Sequence, residues 1–190
     1  MADATMSPER IRELARAIAQ ELTGSGGAPS TATSSASAAP ERLGDGVFAT
    51  VDEAVKAARE AFVAMDQVPL SGRYAIIEAI RKVCREQAEP LAREAHEETG
   101  LGRTADKIQK NLLVTNKTPG PEVLTPEAAT GDDGLALFER APYGVIGAIT
   151  PCTNPTSTII CNSIGMLSAG NTVAFNVHPA ARQVSMTTVQ

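Results

Sequence analysis

The stretch that most constrains the fold is residues 141–179, which read APYGVIGAITPCTNPTSTIICNSIGMLSAGNTVAFNVHP. Residues 144–149 form a short apolar run that stops just before Pro151, as expected of a buried parallel strand. The pattern then predicts a helix over about 156–167 and a second strand over 172–175. A strand, a helix and a strand in so short a span predict a βαβ unit with parallel strands and a right-handed crossover.

The predicted helix has one apolar face and a clear end. Gly170 and Asn171 follow its last turn and can cap it. The residues predicted to face inward are Ile159, Ile160, Ser163, Ile164 and Leu167.

Each predicted strand is followed by a polar segment. TPCTNP (150–155) follows the first strand, and NVHP (176–179) follows the second. Because ligands in open α/β sheets collect at the carboxyl ends of strands, these segments predict a cofactor or substrate site at one edge of the sheet. Gly144 and Gly147 give only GxxG, so the phosphate-binding GxGxxG turn is not indicated here.

These residues also carry a resemblance to a known family. PYGVIGAITPCTNP and SAGNTVAFNVHPAA resemble the aldehyde dehydrogenase superfamily, and within it the CoA-acylating enzymes of bacterial microcompartments. EETGLGRTADKIQKN (97–111) matches as well, and the resemblance covers most of the chain from Glu41 onward. It implies an α/β fold with a partial Rossmann-type parallel sheet behind a helical layer. It also implies that acetaldehyde or propionaldehyde, NAD⁺ and coenzyme A are converted to an acyl-CoA and NADH.

Composition excludes several other classes. The net charge of −5 argues against nucleic acid as the main partner, and the basic residues of 81–85 and 107–117 alternate with acids as on solvated helix faces. Three cysteines without CxxC spacing indicate free thiols in a reducing cytosol. His96 and His178 are far apart in the sequence, so no metal site is predicted. Nothing resembles a membrane span or a secretory signal.

The N-terminal segment is predicted to be an amphipathic helix on a tether. Residues 7–22 have Ser7 as a candidate N-cap and Pro8 at the first helical position. Residues 24–40 contain only Gly, Ala, Ser, Thr and Pro, which predicts a flexible linker spanning about 20 Å. The apolar stripe of the helix consists of Ile11, Leu14, Ile18 and Leu22.

A short helix on such a tether is typical of a docking peptide, because it needs a partner to bury its stripe. It also resembles the encapsulation peptides that bind microcompartment shell proteins or other cargo, which implies a bacterial cytoplasmic location within a microcompartment. The alternative is a frayed helix that packs on its own domain. The predicted organisation is therefore a targeting helix (1–23), a linker (24–45) and an incomplete N-terminal part of a cofactor-binding domain (46–190).

A layer of helices is predicted ahead of the sheet. The first runs over 50–65, with a capping box at Thr50 and Glu53 and a stripe that includes Val51 and Val55. The others are predicted over 71–89, from Pro90 to a stop at Gly100, and over 103–117. The last is expected to turn Ile108, Leu112 and Leu113 inward. Residues 119–134 are predicted to be a loop, and 135–141 a strand.

The loop after the first strand holds the candidates for catalysis. Aldehyde dehydrogenases have an Asn in this loop whose amide stabilises the oxyanion. The resemblance assigns that role to Asn154, although Asn stands one place later here; Thr153 occupies the usual position and is the alternate donor. The residue pattern alone favours a structural interpretation, in which Asn154 caps the next helix or supports the turn. Thr150, Pro151 and Cys152 are predicted to lie at the nicotinamide cleft.

Cys152 is not predicted to be the nucleophile. No local base accompanies it, and a lone cysteine is usually structural. In the resembled family the catalytic cysteine comes much later in the chain, so these 190 residues are expected to lack it and to be inactive alone.

The segment after the second strand departs from the common family pattern. Asn176 and His178 stand within the stretch where ordinary members have the Lys and Glu that hold the adenine ribose. Their loss suits CoA-acylating members, and His178 is a candidate contact for a ribose or phosphate; the alternative is a loop histidine without a ligand. His96, Glu97 and Glu98 are predicted to be structural.

Three hypotheses follow from the sequence. The first is the N-terminal part of an NAD-dependent CoA-acylating aldehyde dehydrogenase, which forms a homo-oligomer when full length. The second is a catalytically inert targeting or binding module. The third is an ordinary hydrolytic aldehyde dehydrogenase, which the missing Lys and Glu disfavour.

Overall fold

The computed structural model describes residues 45–190. The predicted docking helix, its residues Ile11, Leu14, Ile18 and Leu22, and the linker over 24–40 lie outside the described residues. The helices are α1 (Val51–Met65), α2 (Leu70–Glu86), α3 (Ala88–Thr99), α4 (Thr104–Lys117), α5 (Pro155–Ser168) and α6 (Arg182–Val189), and the strands are β1 (Glu127–Gly131), β2 (Gly134–Phe138), β3 (Val145–Ile149) and β4 (Thr172–Asn176).

Helix α1 begins at the predicted capping box. The hydroxyl of Thr50 accepts the N–H of Glu53 at 3.2 Å, and the Glu53 carboxylate accepts the N–H of Thr50 at 3.3 Å. The predicted stripe is wrong in part, because Val51 and Val55 are 66% and 43% exposed. The side that meets the sheet is the one with Ala58, whose carbonyl accepts a 2.8 Å hydrogen bond from the Thr172 hydroxyl of β4.

The boundary between α2 and α3 differs from the prediction. Helix α2 ends at Glu86, three residues early, and α3 begins at Ala88 rather than at Pro90. Pro90 fits the first turn of α3, since N–H groups there have no partner within the helix. The predicted end of α3 is confirmed: Gly100 has φ +66°, a left-handed conformation that favours glycine.

Helix α4 has the predicted length but buries a different face. Leu113 is 59% exposed, so its prediction as an inward residue is wrong. The buried positions are Lys107, Asn111 and Thr115, whose polar groups bond to main-chain or side-chain partners. The apolar core lies next to them, where Ile77 of α2 meets Ile160 and Ile164 of α5.

Part of the segment predicted to be a loop forms a strand, β1, which pairs in a β-hairpin with β2; the strand predicted over 135–141 is confirmed as β2, although it ends at Phe138. Strands β1 and β2 pair in antiparallel register from Glu127 opposite Phe138 to Gly131 opposite Gly134. All ten strand residues are exposed. With neither face covered, β1 has no alternation of apolar and polar residues, which is the signal that would have predicted it.

The predicted βαβ unit is confirmed. Strands β3 and β4 are parallel, with Val145 opposite Thr172 and Ile149 opposite Asn176, and α5 connects them. The end of α5 is also as predicted: Gly170 has φ +80°, and the N–H groups of Gly170 and Asn171 donate to the last turn at 3.0 Å. The full burial predicted for β3 is wrong, because the helices pack mainly on β4 and Ile149 is 85% exposed.

No helix within residues 45–190 has both the length and the apolar composition needed to cross a bilayer.

Candidate functional site

The two polar segments leave the same edge of the parallel sheet. Ile149 and Asn176 form the last pair of β3 and β4. Beyond that pair, the N–H of Thr150 donates to the carbonyl of Asn176 at 3.1 Å. TPCTNP and NVHP therefore start side by side, as the sequence predicts, at the carboxyl end of the strands where α/β proteins bind ligands.

The first residues of the β3 segment are held against the protein. Thr150 is 2% exposed, and its hydroxyl has no hydrogen-bond partner among the described residues. Pro151 is exposed. Cys152 is half-buried against Ala95 of α3 and Val184 of α6. This packing against buried apolar residues supports the structural interpretation of Cys152.

Asn154 and Thr153 are bound by two lysines of α4. The Lys110 ammonium donates to Asn154 Oδ1 at 3.1 Å, and the Lys107 ammonium donates to the Thr153 carbonyl at 3.2 Å. Asn154 Nδ2 donates to the Thr153 hydroxyl at 3.4 Å. Asn154 occupies the N-cap position of α5, but its side chain makes no capping hydrogen bond. The predicted alternative role as a side-chain cap is therefore wrong.

Lys107 is an unusual lysine because its side chain is buried, with 6% of the residue exposed. Burial lowers the pKa of Lys107, the charge of Lys110 lowers it further, and Cys152 opposes the change. The sequence predicts a solvated helix face over residues 107–117, which is wrong for this position. No pattern in the sequence 107–117 indicates that these polar side chains face the site.

A third α4 side chain connects the loop to the helical layer. Asn111 is 1% exposed, and its Oδ1 accepts the hydroxyl of Thr156, in the first turn of α5, at 2.8 Å. Its Nδ2 donates to the Ala88 carbonyl of α3 at 3.2 Å. Lys107, Lys110 and Asn111 have i, i+3 and i+4 spacing and thus share one face of α4, which binds residues 153–156.

The segment after β4 is held by a local turn. Asn176 and His178 are exposed. His178 Nδ1 accepts the N–H of Ala180 at 3.1 Å and caps a 3₁₀ turn over Pro179–Ala181. A ring nitrogen that accepts an N–H carries no proton, so the neutral ring has its proton on Nε2, which is directed away from this contact.

Glu98 supports the helix that follows this turn. Its carboxylate accepts the N–H groups of Gln183 at 2.8 Å and Val184 at 2.7 Å, at the start of α6. A carboxylate at a helix N-terminus accepts hydrogen bonds from N–H groups that have no partner within the helix. Its negative charge also interacts favourably with the helix dipole. The prediction of a structural Glu98 is confirmed. His96 Nδ1 lies 3.4 Å from the Leu101 carbonyl, a contact within its own helix end.

Two cavities lie near the strand ends. The larger, about 630 Å³, is mostly apolar and runs between α1, α5, β4 and α6; Asn176 and Val177 line it. The buried Ser185 hydroxyl, which has no partner among the described residues, also lies on its wall. Lys107, Lys110 and Asn154 line the smaller recess. Neither cavity is lined by both polar segments.

Within residues 45–190, no three His, Cys, Asp or Glu side chains are grouped to hold a metal.

Comparison with known proteins gives a consistent picture. The aldehyde dehydrogenase family model matches residues 40–190. The CoA-propanoylating propanal dehydrogenase of Salmonella typhimurium is 50% identical over 143 residues, which are 75% of this chain and 31% of that protein. This chain corresponds to the N-terminal part of such relatives and spans about a third of their length.

Solved structures agree with the sequence relatives. A propionaldehyde dehydrogenase from the fucose utilisation bacterial microcompartment of Clostridium phytofermentans is 55% identical, with a TM-score of 0.74 over 76% of this chain and 33% of that one. The propionaldehyde dehydrogenase of Rhodopseudomonas palustris, with bound CoA and an acylated cysteine, is 52% identical, with a TM-score of 0.74 over 77% of this chain and 34% of that one.

Proposed function

The chain belongs to the aldehyde dehydrogenase family, and on that premise we propose that it is the N-terminal part of a CoA-acylating, NAD-dependent member. The complete protein converts a short aliphatic aldehyde, NAD⁺ and coenzyme A to the acyl-CoA, NADH and a proton. The observation that carries this proposal is the amide of Asn154, held by Lys110 at the carboxyl end of β3. The relatives' names supply the CoA-acylating class.

The residues at the sheet edge have distinct proposed roles. Asn154 Nδ2 donates a hydrogen bond to the aldehyde oxygen as a thiolate attack turns it into an oxyanion, and the Thr153 hydroxyl is the alternate donor. Thr150, Pro151, Cys152, Asn176 and His178 border the cofactor. The unpartnered Thr150 hydroxyl fits that role, because a bound polar group can satisfy it. NAD⁺, when bound, supplies the hydride acceptor.

The nucleophilic cysteine is proposed to lie outside residues 1–190. Cys152 packs against the core and Cys84 among isoleucines, where burial raises its thiol pKa. The acylated cysteine of the R. palustris relative supports a thioester mechanism in the family. We therefore expect the 190-residue chain to show no turnover with propionaldehyde, NAD⁺ and coenzyme A. Turnover by this chain would contradict the assignment.

The donor role of Asn154 can be tested in the full-length protein. Asn154→Ala should lower kcat by about 10²–10³-fold, the usual cost of removing one oxyanion donor. Because the Asn154 side chain makes no capping hydrogen bond, we expect this change to leave the start of α5 intact. Thr153→Val is the matched control, since it removes the neighbouring hydroxyl and keeps the shape. A large loss with Thr153→Val and none with Asn154→Ala would assign the donor to Thr153.

Acylation can be separated from ordinary hydrolytic oxidation. Residues 176–179 (NVHP) lack the Lys and Glu with which ordinary members hold the adenine ribose, and that loss favours the acylating class. We expect the full-length protein to need coenzyme A for full rate and to release acyl-CoA, detected by mass spectrometry. Carboxylate formation at full rate without coenzyme A would support the hydrolytic alternative.

Targeting and association are further parts of the proposal. Residues 7–22 dock to a microcompartment shell protein or other cargo, in the bacterial cytoplasm. Leu14→Asp or Ile18→Asp should abolish shell co-localisation and leave full-length activity unchanged; unchanged co-localisation would contradict docking.

For the homo-oligomer, we propose that the exposed β1–β2 hairpin contacts a second copy of the chain, since Leu135, Leu137 and Phe138 are 71%, 61% and 58% exposed.

A further inference from the structure

The side chain of Lys110 contacts the proposed oxyanion donor directly. We propose that Lys110 is a positioning residue, whose ammonium group fixes the amide of Asn154 with Nδ2 free to donate to the substrate oxygen. The inference rests on the proposed function and adds a residue of α4 that the loop motif does not contain.

The Lys110 ammonium faces the oxygen of the Asn154 amide and not its nitrogen. An ammonium group has three donors and no acceptor, so the atom 3.1 Å from Lys110 Nζ must be the amide oxygen. Nδ2 is then turned the other way. Its contact with the Thr153 hydroxyl is long, at 3.4 Å, and an amide nitrogen has two N–H groups, so one remains to donate. Without Lys110 the amide can reverse, and its oxygen would then face the oxyanion.

The residues on both sides of Asn154 are held by contacts that do not involve Lys110. Lys107 bonds to the Thr153 carbonyl at 3.2 Å, and Asn111 bonds to Thr156 at 2.8 Å. One face of α4 therefore fixes the loop on both sides of Asn154. Because the backbone is held independently, the loss of Lys110 should free the amide rotation and leave the loop path unchanged.

The positive charge of Lys110 is available to the Asn154 amide. The ion pairs found within residues 45–190 include neither Lys107 nor Lys110, so no carboxylate of the described chain competes for the Lys110 ammonium. A hydrogen bond from a cation to the amide oxygen draws electron density from Nδ2 and strengthens its N–H as a donor. The contact thus orients and polarises the same group.

The test is a double-mutant cycle in the full-length protein. Lys110→Met keeps the side-chain length without the charge, and should lower kcat about 10-fold with little change in KM, because the interaction matters mainly in the transition state. In the Asn154→Ala background, Lys110→Met should have no further effect on kcat, since the group that it positions is gone. Lys110→Arg, which also presents only donors, should restore most of the activity.

Each outcome of the cycle has a defined meaning. Lys117→Met, an exposed lysine on the same helix, is the control and should stay within about twofold of wild type. Equal losses from Lys110→Met with and without Asn154 would overturn positioning and indicate a purely structural effect. Unchanged kcat in Lys110→Met, with a large loss in Asn154→Ala, would overturn the role of Lys110 and keep the donor. Unchanged kcat in Asn154→Ala would overturn the donor and the positioning role together.

Discussion

The two small sheets of this molecule have equal size and opposite surroundings. Each has two strands of five residues in unbroken register. Every residue of the β1–β2 hairpin is exposed, whereas helices α1 and α5 pack against the parallel β3–β4 pair. One pair is antiparallel and the other parallel, and the larger difference between them lies in side-chain burial.

This difference separates two roles. A parallel pair requires covered faces, and α5, which packs against β4, also begins directly after the polar loop of the candidate site. A lone hairpin is marginally stable in water, and association through the β1–β2 hairpin, as proposed above, would bury its apolar side chains. Changes in the parallel unit should cost folding stability, and changes in the hairpin should cost association.

The largest expected effect is on the core beneath the parallel pair. Ile164 is fully buried with Ile77 and Ile160. Ile164→Ala should lower the free energy of unfolding by about 2–5 kcal/mol, through lost burial and the cavity left behind. Urea denaturation followed by circular dichroism measures it. Leu137→Ala is the matched change in the hairpin and should cost less than about 0.5 kcal/mol. Equal losses for both would remove the distinction.

The second prediction concerns the link between β3 and the end of α5. Asn171 is 4% exposed, and its Oδ1 accepts the N–H groups of Tyr143 at 2.6 Å and Gly144 at 3.0 Å. Asn171→Ala leaves these N–H groups without their acceptor and should cost about 1–3 kcal/mol in the same assay.

Asn171→Asp is the control for that change, because it retains the acceptor oxygens. It should be less destabilising than Asn171→Ala. If both variants were as stable as wild type, the start of the parallel pair would not depend on this contact.

The same contrast explains which elements the sequence could predict. The βαβ unit was predictable because its apolar runs, its glycine helix end and its strand lengths all agree, and each reflects burial within a short span. Of the hairpin, the sequence predicts only β2, within 135–141; β1 has no signal, because residues 127–131 (EAATG) meet no core and carry no pattern set by burial. The Asp132–Asp133 turn was consequently included in the predicted loop.

For the candidate site, the edge was predictable and its support was not. The position of Asn154 at the strand end follows from chain order. Lys107 and Lys110 are about 45 residues earlier, and nothing in a lysine's sequence context says that its charge will be buried against a carbonyl. Tertiary packing of α4 on α5 decides that, as it decides that Leu113 is exposed.

The third prediction extends the comparison to the helix after β4. Glu98 pairs the first N–H groups of α6. Glu98→Ala should lower the free energy of unfolding by about 1 kcal/mol, as for the loss of a helix cap. Glu97→Ala, the exposed neighbour, should change it by less than about 0.5 kcal/mol. Indistinguishable variants would show that α6 is held by its apolar face alone.

The smallest expected effect on folding is in the hairpin, where the effect on association should be clear. Leu135 and Leu137 project from one face of β2, since residues two apart in a strand share a face. Changing both to Asp should leave the urea midpoint of the subunit nearly unchanged, because neither side chain is buried by residues 45–190. The same change should break contact with a second copy, since two carboxylates would be desolvated there.

Sedimentation equilibrium of the full-length protein should then give a lower mass than wild type. An unchanged mass with a lowered urea midpoint would mean that the hairpin packs within its own subunit, and the assignment of the two sheets to folding and association would fail.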